Sequence, residues 1–313
     1  MANVTAGTGT YAGKAALPYV TPAIMAADTI VNNWCNLYPN VVGTAVLRKM
    51  SGASLRARTC GFDGGAATLD EVILATTKLE IKLQLCNSDL AATWEADMMR
   101  DSRTAPASTN EAMLRYVIAQ AAKDVECGMW KGQYNFTTGA TTGGGAVAYL
   151  NGWLAKIVAA SPTYEIALTG ATDTTANATG ILPRLAALVA SAPPDIAGDP
   201  DAYIYMSPAM KGLYYAALGS ANGSLYLPNE QVSQYAGYRI VTPRGFAADT
   251  FLLTKPENLA FGTDLTGNDF ATAAAVANLN DSTLEDATRA MIAMTAGCQI
   301  IDHASYVVSR RTS

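Results

Sequence analysis

The chain has 313 residues, 50% of them hydrophobic and only 15% charged, with a net charge of −5. That balance argues against a basic nucleic-acid-binding face, and no apolar run approaches the roughly 18 residues of a membrane span. A charged share well below the usual value of about 25% leaves much neutral surface, which suits burial against other subunits.

The first 20 residues are rich in Gly, Thr and Ala and read as an arm without its own core. They lack a basic segment followed by an apolar run, so no signal peptide is expected. Two short strands follow, Thr44 to Met50 and Ser54 to Cys60, joined around Ser51-Gly52 as a hairpin. It carries the cations Arg48, Lys49, Arg56 and Arg58 with little apolar cover, so it must lie against something else. In "KLEIKLQLC", Leu79, Ile81, Leu83 and Leu85 alternate with polar residues, the period of a strand with one buried face. A helical segment from Ser88 follows.

Beyond Pro106, Ser108 and Glu111 form a capping box. Leu114, Val117, Ile118, Ala121 and Val125 then recur at helical spacing, predicting a long helix to about Trp130. Its apolar stripe is expected to face the alternating strand. A glycine hinge, Gly139 to Gly145, marks the best domain boundary. After it come a strand "YEIAL", a helix from Ile181 to Ala192, and a strand Ala202 to Met206. That strand runs into a helix with Ser207 as cap and Pro208 at its first position. A loop from Gly219 to Gln234 leads to Tyr238 to Thr242 and Thr250 to Thr254, which read as a hairpin about a Pro-x-Gly turn. The tail is partly alternating and reads as a return to a sheet, with a helical first half as the alternative.

No catalytic constellation stands out. The single histidine, His303, follows Asp302, and neighbours on a strand point to opposite faces, so the pair cannot act together on a nucleophile. The glycines of "GTGTYAG" miss the dinucleotide fingerprint, and "GATTGGG" lacks the Lys-Ser/Thr of a phosphate loop. The five cysteines, Cys35, Cys60, Cys86, Cys127 and Cys298, are scattered with no Cys-x-x-Cys pair. Neither zinc nor a disulfide framework is indicated, and no cofactor or metal is expected.

An arm, a cationic hairpin, an alternating strand, a long helix, a glycine hinge and a compact α/β lobe come in an order that resembles the major capsid protein of tailed double-stranded DNA bacteriophages. That fold is shared with herpesvirus capsid floors and encapsulin compartments. The likeness is carried by "KLEIKLQLC" with "STNEAMLRYVIAQAAKDVECGMW", and by "DAYIYMSPAMKGLYYAAL" with "YAGYRIVTPRGFAADTFLLTKPENLAFGTDL". It implies an α+β fold: N-terminal arm (1–43), extended loop (44–77), peripheral domain with spine helix (78–145), axial domain (146–265) and return to the peripheral domain (266–313).

The resemblance also implies a function, a non-enzymatic shell protein. Such a chain assembles in the host cytoplasm into pentamers and hexamers of an icosahedral virion enclosing DNA. The implied partners are copies of itself, a separate scaffolding protein, a portal, packaged DNA on the inner face, a possible decoration protein, and no membrane. The alternatives are an encapsulin-type compartment around a cargo enzyme or, less in keeping with the residues, an α/β enzyme. The implied intersubunit contacts set Arg48, Lys49, Arg56 and Arg58 of the extended loop against a neighbour's Glu95, Asp97, Asp101 and Glu111. Ser220, Asn222, Gly223 and Ser224 are expected at the capsomer axis.

Overall fold

Residues 287–300 resolve the tail's ambiguity as one 14-residue strand, the centre of a five-stranded sheet. The computed structural model describes residues 28–52, 67–86, 109–132, 149–160, 162, 164–168, 178–221, 233–264, 274–278 and 287–311. In chain order the first elements are α1 (Asp28–Val31), β1 (Asn36–Tyr38), β2 (Thr44–Ser51), β3 (Thr68–Ala75), β4 (Thr77–Cys86), α2 (Thr109–Trp130), α3 (Trp153–Ala159) and β5 (Glu165–Leu168). Then follow α4 (Ala178–Ala190), β6 (Tyr203–Met206), α5 (Pro208–Ala221), β7 (Gln234–Tyr235), β8 (Tyr238–Val241) and β9 (Phe251–Thr254). After a 3-10 turn at Pro256–Asn258 come β10 (Leu259–Thr263), β11 (Ala274–Asn278), β12 (Ala287–Ile300) and β13 (Tyr306–Arg311).

β12 pairs with β4 along one edge, and with β11 and then β10 along the other, while β1 adds to β10 in parallel. A six-stranded sheet runs β5-β13-β9-β6-β8-β7. Its inner strands bury both faces. From β6, Tyr205 enters the core shared with α2, α3 and the first sheet, whereas Ile204 and Met206 enter a second core under α4 and α5. Leu252 and Phe251 divide in the same way on β9, as do Tyr306 and Val307 on β13. Burial on both faces explains why these strands read as unbroken apolar runs.

Three sequence expectations change. The segment 238–254 is not a hairpin, because β8 and β9 lie on opposite sides of β6, parallel and antiparallel to it. β9 is buried on both faces and β8 at all but the exposed Arg239, so each needs neighbours on both edges, and the connection between them is itself core. Phe246 and Ala247 are buried, and Gly245 lies so close to the Glu126 carbonyl that a Cβ would collide with it. The tail divides between the lobes: β12 returns to the first sheet but β13 joins the six-stranded one, and β10 belongs with β12. The boundaries at 265 and 266 therefore do not separate two lobes. Finally, α2 lies chiefly over β12 and meets β4 only at its margin. The central strand offers the deepest apolar row, including Ile292, Ala296 and Cys298. Of the expected stripe, Ala121 and Val125 are buried, continuing to Met129 and Trp130, while the side chains of Leu114, Val117 and Ile118 lie outside the described residues. So do Ser108 and the glycines of 139–145.

An aromatic cluster ties the lobes together. Trp130 meets Trp153, Tyr205 and Phe246 at centroid distances of 4.8, 5.1 and 5.0 Å. Each polar tip has a partner: Trp130 Nε1 donates to Thr29 Oγ1 at 2.8 Å, Trp153 Nε1 to the Ala260 carbonyl at 3.0 Å, and Tyr205 OH to the Trp34 carbonyl at 2.8 Å. Thr29 in turn donates to the buried Glu126 carboxylate at 2.6 Å, and Arg244 pairs with Asp28 at 2.8 Å, so α1 is fastened to the helix and to the crossover. Burial, only partly offset by the Thr29 hydrogen bonds, raises the Glu126 pKa above the ordinary range. The folded state therefore binds this proton more tightly than the unfolded state. That contribution to stability is complete below the ordinary glutamate pKa and is lost as pH rises through the raised one. Replacing Glu126 with Gln keeps an acceptor for Thr29 and removes the charge. The variant is expected to unfold at a higher temperature than wild type at pH 7 and at a similar one near pH 4. Parallel thermal melts at the two pH values check this.

Candidate functional site

β2 and β3 stand apart from both sheets as a two-stranded ribbon. Thr44 pairs with Ala75 and Ser51 with Thr68, so the hairpin closes on a strand beyond the predicted one; residues 54–60 lie outside the described residues. The pairing needs a long excursion, yet it matches eight residues with eight. A 44–50 hairpin turning at Ser51-Gly52 would end before Leu74, the residue that gives the ribbon its anchor.

That anchor is a notch in the first sheet. Gly262 and Gly297 are register partners on β10 and β12. A Cβ on Gly262 would stand 2.9 Å from Leu74 Cδ2, and one on Gly297 would collide with the Ala75 carbonyl. The paired glycines let the ribbon's base lie on the sheet backbone, and Leu74 is fully buried there. Thr76 finishes the base: its N–H donates to the Gly43 carbonyl at 2.7 Å, and its Oγ1 accepts from Gly43 N–H at 2.9 Å.

Alternation then gives the ribbon two faces. The inner face holds Leu47, Lys49, Val72 and Leu74, all at least partly buried. On the outer face Val46 sits opposite Ile73, and Met50 opposite Leu69. These four are 53%, 58%, 70% and 63% exposed, in that order. Between the apolar pairs, Arg48 Nε reaches Glu71 at 3.4 Å across the strands. Two exposed apolar pairs flanking an ion pair on one face of the ribbon make a contact surface.

Of the predicted contact residues, Arg48 is paired with Glu71, and Lys49 with Asp302 at 2.8 Å, so both have partners within the chain. Arg56, Arg58, Glu95, Asp97 and Asp101 lie outside the described residues, as do Asn222, Gly223 and Ser224; Glu111 is placed in α2, its side chain outside them. Ser220 is not in a loop, because α5 continues through Ala221. Gly219 and Ser220 complete its last turn, where weak helix formers are tolerated. The start of α5 is as expected, with Met210 N–H donating to Ser207 Oγ at 3.3 Å.

Asp302 and His303 sit in the turn between β12 and β13, not on a strand, so the face argument does not apply to them. The Asp302 carboxylate accepts from Lys49, from Ala304 N–H at 2.9 Å and from Ser305 Oγ at 2.7 Å. His303 Nδ1 lies 3.3 Å from Tyr306 OH, and burial lowers its pKa. Beside the turn a cleft of about 680 Å³ is lined by Ile30, Cys35, Leu37, Lys255 and Asp302 among others. Among the described residues no three His, Cys, Asp or Glu side chains converge as a metal site, and no helix is long and apolar enough to cross a membrane.

No family model matches the sequence, and no curated protein does. Solved structures match nearly its whole length. A chain of the satellite phage P4 procapsid, solved with its size determination protein, aligns with a TM-score of 0.60 at 13% identity, covering 98% of this chain and 94% of that one. The capsid of an empty GTA particle gives 0.53 at 12%, covering 92% and 90%. A virus-like particle from Pyrococcus furiosus gives 0.52 at 9%, covering 94% and 96%. The likeness is one of fold.

Proposed function

We propose that this chain, which has the α+β fold of tailed-phage major capsid proteins, is the structural subunit of an icosahedral shell. The observation that carries the reading is the ribbon's outer face, where Val46, Met50, Leu69 and Ile73 are held exposed on an element with no core of its own. A lone subunit gains nothing from such a surface, and a neighbouring copy that covers it does. The low charged fraction supports the same reading.

In this proposal the ribbon reaches a neighbouring subunit in pentamers and hexamers around packaged DNA, with a scaffolding protein and a portal as further partners. Arg48, Arg56 and Arg58 face the neighbour's Glu95, Asp97, Asp101 and Glu111, while Lys49, expected among them, lies on the inner face and pairs with Asp302 of its own chain. Arg48 and Lys49 already have partners in their own chain, so the apolar face carries more of the contact than exposed charge pairs do. Asn222, Gly223 and Ser224, following α5, belong at the capsomer axis.

Negative-stain micrographs of the purified, concentrated protein test the reading, together with the ratio of absorbance at 260 and 280 nm. Closed particles of uniform diameter support a shell, and nucleic acid inside them supports a virion. Empty shells with a co-purifying enzyme point to a compartment instead. A monodisperse monomer at every concentration and salt overturns the proposal.

A further inference from the structure

We propose that Lys49 and Asp302 form a latch that holds the ribbon down on its own subunit and so sets the angle at which its outer face is presented. This rests on the outer face being the assembly surface, and concerns what positions that face.

Among the described residues the ribbon is fixed at two places. One is the glycine notch, where Leu74 is buried. The other is Lys49, whose strand partner Asp70 is four positions from Leu74 along β3, or about 14 Å at the strand rise of roughly 3.4 Å per residue. At that distance the ammonium meets Asp302 Oδ2 at 2.8 Å, with both side chains partly buried. Between the two points the inner face rests on the half-buried Leu47 and Val72. Without the far contact, what holds the ribbon among the described residues is its base and the apolar rest of Leu47 and Val72.

The acceptor is built in advance. Asp302 N–H donates to Asn258 Oδ1 at 2.6 Å, and Asn258 Nδ2 returns a bond to the Asp302 carbonyl at 2.9 Å. Ala304 N–H and Ser305 Oγ fix the carboxylate itself. Closing the latch therefore orders little besides the Lys49 side chain. Asn258 ends the turn between β9 and β10, and Asp302 begins the turn between β12 and β13. Both of these connections cross from one sheet to the other, so the latch ties the ribbon to the junction of the two lobes.

An open state also has a place for the cation. Asp70 lies directly across the ribbon from Lys49, on the same face, and among the described residues its carboxylate accepts a 3.2 Å bond from Ser51 Oγ. Lys49 therefore chooses between a carboxylate on the body and one on the ribbon. This gives two discrete arrangements, as a switch needs.

Hydrogen exchange on unassembled subunits tests the latch. In Lys49→Met, amides of β2 and β3 are expected to exchange about tenfold faster, as local opening becomes easier, with β12 and β13 unchanged. Asp302→Asn keeps an acceptor for Ala304 N–H and should give the same result. The double variant should be no faster than either single one, because both remove one interaction. Unchanged exchange in Lys49→Met, or additive effects in the double variant, overturns the latch. Particles from Lys49→Met should also have a broadened range of diameters, and uniform wild-type diameters would show that the contact does not set the ribbon's angle. Failure of the assembly reading looks different: subunits with an altered outer face would then assemble normally, whatever the exchange rates.

Discussion

A chain carrying Val46→Thr, Met50→Thr, Leu69→Thr and Ile73→Thr is expected to fold as wild type does and to remain as free subunits where wild type forms particles. Threonine keeps the β preference of these positions, so the ribbon survives. The four side chains are more than half exposed in the free subunit, so thermal stability should move by no more than about 0.5 kcal/mol each. Each loses apolar surface that a neighbour would otherwise cover, about 1 kcal/mol per side chain at roughly 25 cal/mol per Å². The combined loss of about 4 kcal/mol raises the concentration needed for assembly by about three orders of magnitude. Sedimentation velocity across a concentration series reads this directly. Particles at the wild-type concentration would show that the outer face is not the contact surface.

The second large effect is expected at the notch. In Gly297→Val the new side chain projects into the carbonyl of Ala75, which is backbone and cannot rotate aside. Either β12 shifts within a sheet where it has neighbours on both edges, or the ribbon's base lifts and exposes Leu74. Overpacking of this kind typically costs 1–3 kcal/mol, and a backbone collision belongs at the upper end, about 3 kcal/mol. Chemical denaturation should show that loss. Gly43→Ala is the control, because it lies beside the same ribbon with open space around its Cβ position; its φ of +94° costs only local backbone strain. A Gly297→Val protein as stable as wild type would mean that the ribbon does not sit on the sheet backbone.

What the sequence revealed depended on whether the signal was local. Ser207 and Pro208 announce the start of α5 because a cap acts within three residues. β4 was legible because Leu79 and Ile81 alternate with the exposed Lys78, Glu80 and Lys82. The ribbon's outer face was not legible, since it exists only after pairing: Val46 and Ile73 belong to different strands, and each strand alone mixes apolar and charged residues on both faces. β8 and β9 misled for the opposite reason. β9 is buried on both faces and β8 exposes Arg239 alone of its four residues, so neither carries a sustained alternation, and nothing near them in the chain signals that β6 lies between them. The paired glycines of the notch, Gly262 and Gly297, are each unremarkable in isolation, and only register makes them a seat.

The position of β12 and β13 bears on biosynthesis. β12 is the centre of the first sheet, and β13 stands between β5 and β9 in the second. Both sheets are therefore completed only by residues 287–311. Until these are made, Leu252, Phe261 and the face of Trp130 have no sheet to close over them, and Gly262 lacks its partner in the notch. A chain cut before residue 287 lacks the central strand of the first sheet and one strand of the second, and leaves apolar surface of the first core open to proteolysis. A copy missing that stretch has no seated ribbon to offer another.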